Sequence, residues 1–120
     1  GIVGSGNDVL IGGFIVGGNA LANNAVVLRA IGPSLLKAGV SNALPDPLIE
    51  LHDGSGSIVA SNDNWADTQE AKLRATGLVP MDRRESAIYA TLPAGDYTAV
   101  VRGVGDATGV GLVEIYSISH

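Results

Sequence analysis

The sequence has no cysteine, which excludes disulfides, thiolate metal sites and cysteine nucleophiles. It has two histidines, His52 and the terminal His120, and no Gly-x-Ser-x-Gly elbow, so nucleophilic catalysis lacks its parts. Aromatic residues make up 4%, with one Trp, one Phe and three Tyr, too few for a broad platform that stacks sugars or bases. Charged residues are 16%, and seven basic against twelve acidic side chains leave a net −5. That balance argues against nucleic acid or an anionic membrane surface as the partner. The longest apolar run, 9–16, is too short for membrane insertion and contains Gly12 and Gly13. No basic segment precedes an apolar one in the manner of a signal peptide, and a chain opening on Gly1 rather than Met reads as a processed or excised piece.

What is present points to β structure. The 120 residues allow one domain, and 46% hydrophobic residues suffice for a core. Seventeen glycines and five prolines suit a turn-rich sheet protein better than a helical one. Residues 8–16 are apolar on both alternating faces, as expected of a strand covered on both sides or of one that docks into a neighbour. Residues 17–24 read as a loop and 25–31 as a β-branched strand closed by Gly32-Pro33. Residues 34–38 allow one helical turn, stopped by Gly39. A hairpin is expected from 48–53, the Gly54-Ser55-Gly56 turn and a return strand with Ile58 and Ala60 inward. Asp67, with Glu70 three residues on, has the form of a capping box, so a short helix is expected over 67–75, ending at Gly77. Strands follow at 86–92 and at 96–102, where Tyr97, Ala99 and Val101 face inward, with Pro93-Ala94-Gly95 as the turn between them. The glycine-rich segment 103–109 reads as a hairpin turn and 110–118 as the last strand. The expected fold class is therefore all-β, an antiparallel sandwich of about seven to eight strands with one short helix. Residues 1–120 form its single domain.

Few residues offer chemistry. The stretch from Gly4 to Gly13 looks like one calcium-binding nonapeptide turn, but such sites need tandem copies, and the next turn reads Phe14-Ile15-Val16. The 103–109 loop has phosphate-loop glycines but no Lys, and a strand rather than a helix follows it. Asp53, Asn62, Asp63, Asn64 and Asp67 offer the hard oxygens that Ca²⁺ takes, or else make turns and a helix cap. If 48–53 and 57–61 pair, Asp53 lies at one end of the hairpin and Asn62 to Asn64 at the other. Trp65 reads as a lid on the core, His52 as a solvated strand residue, and Met81-Asp82-Arg83-Arg84-Glu85 as a solvated loop of mixed charge.

An ordered series of segments carries a resemblance. Asn7-Asp-Val-Leu-Ile-Gly-Gly-Phe-Ile-Val16, Val27-Leu-Arg-Ala-Ile-Gly-Pro-Ser-Leu35 and Asp46-Pro-Leu-Ile-Glu-Leu-His-Asp53 come first. Ala60-Ser-Asn-Asp-Asn-Trp65, Leu92-Pro-Ala-Gly-Asp-Tyr-Thr-Ala99 and Gly109-Val-Gly-Leu-Val-Glu-Ile-Tyr116 follow. Together, over almost the whole chain, they resemble a β-sandwich module of bacterial surface and secreted proteins. The second half is also similar to the jelly roll of pre-peptidase C-terminal domains. The resemblance implies export to the cell surface or exterior, a non-enzymatic accessory role, and calcium at the Asn-Asp loop.

Two functions are weighed on this basis. The first is a structural or adhesive module that forms a homo-oligomer or filament, with Val9, Leu10, Ile11, Gly12, Gly13, Phe14, Ile15 and Val16 completing a neighbour's sheet. Against it stands the simpler reading that 8–16 are an ordinary strand of the chain's own sandwich. The second is a calcium-dependent module that binds a surface glycan or polymer for a larger secreted protein; Trp65, Tyr89, Tyr97 and Tyr116 are the large polar-tipped aromatics, and the inward Tyr97 leaves few of them for a sugar platform. No residues suggest an enzyme.

Overall fold

The computed structural model describes residues 1–6, 8–17 and 24–118. Among the described residues nine strands and one α-helix follow one another. They are β1 (Ile2–Val3), β2 (Leu10–Val16), β3 (Asn24–Ile31), β4 (Pro47–His52), β5 (Ile58–Asn62), α1 (Glu70–Thr76), β6 (Ser86–Leu92), β7 (Gly95–Gly103), β8 (Gly109–Val110) and β9 (Leu112–Ile118). A four-stranded sheet of order β2-β7-β4-β5 faces a three-stranded sheet of order β6-β3-β9, and β1 pairs with β8 at one end. All strand pairs within these sheets are antiparallel. The fold is an all-β sandwich with one short helix. Its pairings nest, β4 with β5, β3 with β6 and β2 with β7, as if one long hairpin were wound around the core. That winding is the jelly-roll arrangement.

Side-chain alternation explains the layers. In β7 Tyr97, Ala99 and Val101 point inward, as do Ile49 and Leu51 in β4 and Val26, Leu28 and Ala30 in β3. These join Val3, Val16, Leu44, Ile88 and Leu92 in the main core. A second cluster of Val27, Trp65, Leu73 and Ala87 lies on the outer face of the three-stranded sheet, beneath α1. Trp65 is its lid, as expected. The two helical stops also hold, since Gly39 and Gly77 sit at φ 94° and 74°, where a side chain is strained. No helix among the described residues is long and apolar enough to cross a membrane.

Several local expectations are corrected. Ile58 is not inward but 58% exposed. A one-residue irregularity between Leu51 and His52 places Ile58 opposite His52, on the outer face, while Ala60 stays inward opposite Leu51. The helix begins at Glu70 with Gln69 before it, and Asp67 makes no cap. Asp67 instead closes a turn, its amide N–H bonding to the Asn64 carbonyl at 3.0 Å. The 103–109 segment is not a hairpin, because β7 and β9 belong to opposite sheets and this segment carries the chain across. The last strand is broken at Gly111, between β8 and β9. Glu85 is not solvated but fully buried. The expected loop at 17–24 falls mainly on 18–23, and the nonapeptide-like turn includes Asn7; these residues lie outside the described ones.

Candidate functional site

The N-terminal segment runs along the periphery of the sandwich. Ile2 and Val3 pair with Val110 and Gly109, and Leu10 to Val16 pair in unbroken register with Val101 to Gly95. Among the described residues it thus pairs with the last quarter of the chain and with no other strand. Strand β2 belongs to the chain's own sheet but forms its edge rather than its centre. Its inner face gives Leu10, Phe14 and Val16 to the core, and Phe14 stacks on Tyr97 with ring centroids 5.6 Å apart. Gly12 passes so close to the other sheet that an added methyl would meet Val113 at 3.3 Å. On the outer face Ile11 is 59% and Ile15 79% exposed. Val9 precedes the strand and is half-buried.

The sheet edges are treated differently. The open edge of β6 is sealed by side chains that imitate a further strand. Asn62 Oδ1 accepts from the Ala87 N–H at 3.0 Å. Gln69 accepts from the Tyr89 N–H and donates to the Tyr89 carbonyl, at 3.0 and 2.9 Å. The Trp65 N–H donates to the Glu85 carbonyl at 3.0 Å. Nothing comparable protects β2. Among the described residues no hydrogen bond reaches its outer edge, and the strand has no charge, proline or bulge to discourage pairing.

The five oxygen-bearing residues are not brought into one set. Asp53 lies at the β4–β5 turn, whereas Asn62, Asp63, Asn64 and Asp67 lie at and beyond the opposite end of β5. Asp53 Oδ1 accepts from the Ser55 hydroxyl and from the N–H groups of Ser55 and Ser57. The Ser55 hydroxyl, followed by these main-chain donors, holds the Asp53 carboxyl below the usual range. Asn62 donates to the Asn64 carbonyl and to Thr68 Oγ1, and Asn64 donates to Asp67 Oδ2 at 3.3 Å. No group of three or more His, Cys, Asp or Glu among the described residues is arranged to hold a metal ion. His52 bridges to Glu50 at 3.0 Å, and Glu50 also meets Arg102.

Two acidic features beside this loop were not singled out from sequence. Glu85 accepts from the Gly32 and Ser34 N–H groups at 2.9 and 2.8 Å and from the Ser34 hydroxyl at 2.7 Å. Its Oε1 also accepts from the Asp82 N–H at 3.2 Å. Four donors compensate one buried charge, and they fix the Gly32-Pro33 corner against the start of β6. Asp46, just before β4, faces Asp63; burial first, and the Asp63 carboxyl second, push its pKa above the usual range. The signal for Glu85 lies in main-chain donors about fifty residues away, which no local pattern announces.

The four large polar-tipped aromatics are dispersed. Tyr97 is inside, its hydroxyl donating to the Pro93 carbonyl at 2.7 Å, and Trp65 is buried under α1 with Arg74 5.0 Å and Arg83 6.0 Å from its ring centroid. Tyr89 and Tyr116 flank Val27 from the two neighbouring strands, on the outer face of the three-stranded sheet. Comparison with known proteins returns no match to this chain, whether against family models, curated sequences or solved structures.

Proposed function

We propose that the chain is a non-enzymatic structural module of the cell exterior that joins copies of itself by strand complementation through its N-terminal segment. The observation that carries this reading is the contrast between edges. Among the described residues, β6 is sealed by Asn62 and Gln69 while β2 is bare, apolar and paired only with β7. An apolar edge strand of this kind can leave its own sheet and enter the same register on a neighbour, keeping every main-chain bond it gives up. The exchange repeated head to tail builds a filament. The bacterial-type surface location follows from the resemblance of the segments given above.

The absence of native cysteine makes the test clean. Gly13 and Thr98 are direct partners across β2 and β7, and no atom approaches a Cβ built at Gly13 closer than 4.0 Å. Paired strand positions of this kind suit a disulfide. In the Gly13→Cys/Thr98→Cys variant, oxidation should link separate chains into a ladder, and negative-stain microscopy of the unmodified chain, with and without calcium, should show filaments. Bonds formed only within single, dispersed chains would sink the reading.

A second reading, a glycan-binding accessory module, draws support from Tyr89 and Tyr116. A shallow depression of about 260 Å³ lies beside Tyr89, lined also by Lys72, Ala75, Thr76 and Ile118. Glycan-array binding lost on Tyr89→Ala, assayed with and without chelator, would favour it over assembly.

A further inference from the structure

Asp46 and Asp63 stand at one end of the sandwich, the first entering β4 and the second leaving β5. The Oδ1 atoms of both are closed off from solvent and meet no donor among the described residues. The register that sets Ile49 opposite Asn62 brings Asp63 alongside the entry to β4, where its side chain meets that of Asp46. Ionised carboxylates only accept, so a bond between them requires a proton.

The groups around the pair offset it only in part, since the charge of Arg84 favours the Asp46 carboxylate while burial and Asp63 outweigh it. Arg84 is the nearby cation, and its Nε and Nη2 are both engaged by Asp82, each at 3.0 Å. Lys37 acts on Asp82 as well. Glu85 adds negative charge on this side and has its own four donors. From the segment after β7, the Val104 N–H reaches Asp46, but at its main-chain carbonyl. On the far side of Asp63, Asp67 is held by Asn64. Further along β4, Glu50 is matched with His52 and Arg102.

We propose that Asp46 and Asp63 share one proton and form an acid-closed latch between the β3–β4 crossover and the loop that leaves β5. The sign follows from the raised value of Asp46. The latch contributes fully below the ordinary aspartate value of about 4 and is lost as pH rises through the raised one. Above that point the two half-buried carboxylates repel each other. The loop they release carries Trp65, the lid of the second cluster and the sole tryptophan of the chain. Opening of the latch is therefore visible in Trp65 emission.

The test compares the full chain with Asp63→Asn, whose amide donates to Asp46 at any pH. Melting temperature and Trp65 emission are followed from about pH 4 to about pH 8. The wild type should lose a few degrees relative to Asp63→Asn as pH rises, and only the wild type should show an emission shift. Asp46→Asn should behave like Asp63→Asn, and the double variant should gain nothing more. Parallel profiles for wild type and Asp63→Asn would overturn the latch. So would calcium alone raising the wild-type melting temperature at neutral pH while leaving Asp63→Asn unmoved, since a cation rather than a proton would then bridge the pair. Should the variants not fold, carboxyl ¹³C titration of the wild type decides. One of the two carboxyls must titrate above the ordinary range, and two ordinary titrations refute the proposal.

Discussion

The side-chain amide of Gln69 lies against the backbone of Tyr89 as a peptide group of a further strand would, accepting from its N–H at 3.0 Å and donating to its carbonyl at 2.9 Å. One residue outside the sheet thereby occupies the position where another chain would add. Gln69→Ala removes both bonds and uncovers the β6 edge. The expected cost is about 1–3 kcal/mol, measured by urea unfolding. Concentration-dependent aggregation should appear with it, because the β6 edge is then left bare as well.

Phe14 fastens β2 to the core through its stack on Tyr97. It is half-buried, so Phe14→Ala should cost less than a fully buried phenylalanine, about 2 kcal/mol. If strands exchange, the loss weakens closed and joined forms alike, and the ratio of monomer to oligomer should stay nearly constant in sedimentation. By contrast Ile15→Lys, on the exposed outer face, should leave stability within about 0.5 kcal/mol.

Glu85 is the most consequential single side chain at the loop end. Glu85→Ala leaves the buried Gly32 N–H and its neighbours without an acceptor. A loss of about 3–5 kcal/mol is expected in denaturant unfolding. Glu85→Gln keeps one acceptor oxygen and should lose less. Equal melting temperatures for wild type and Glu85→Ala would show that the four donors find other partners.

Gly32 gives an independent check on the same corner. A Cβ there would run into the Leu44 carbonyl. Gly32→Ala must push the two segments apart and should reduce the soluble yield of folded chain, with loss of the dispersed amide spectrum in NMR.

Acid should weaken the surface turns while it strengthens the Asp46–Asp63 contact. Asp53 and Asp82 are both held below the usual carboxylate range, Asp53 chiefly by the Ser55 hydroxyl and Asp82 chiefly by Arg84. A lowered value means that their contribution is present above about pH 4 and is lost as pH falls through the lowered value. Stability should therefore pass through a maximum in mildly acidic solution. Asp53→Asn should flatten the acid limb of thermal melts taken from about pH 4 downward.

Much of the fold could be read along the chain because its causes are local. The alternation of Tyr97, Ala99 and Val101 is set by the period of a strand, and Gly39 and Gly77 mark the helical stops by their backbone conformation. What escaped depends on residues distant in sequence. Ile58 turns outward because Val59, unpaired between Ala60 and Ile58, shifts the register against Leu51 and His52 of the partner strand. Glu85, among two arginines and two other polar or flexible neighbours, has the look of a solvated charge, and its donors come from Gly32 and Ser34. Asp46 carries no local signal for the same reason, since only the closed hairpin sets it against Asp63. The bare edge of β2 was legible as an apolar run, but its contrast with the sealed edge of β6 required the positions of Asn62 and Gln69.

The pairing of Leu10 with Val101 has a consequence for biosynthesis. A ribosome makes β2 early and its partner strand roughly ninety residues later, a delay on the order of ten seconds at ordinary elongation rates. Throughout that interval the nascent chain displays an uncharged, β-branched segment with nothing of its own to pair with. Neighbouring chains on one message are each in the same condition, so a strand meant for one molecule can be captured by the next before either is finished.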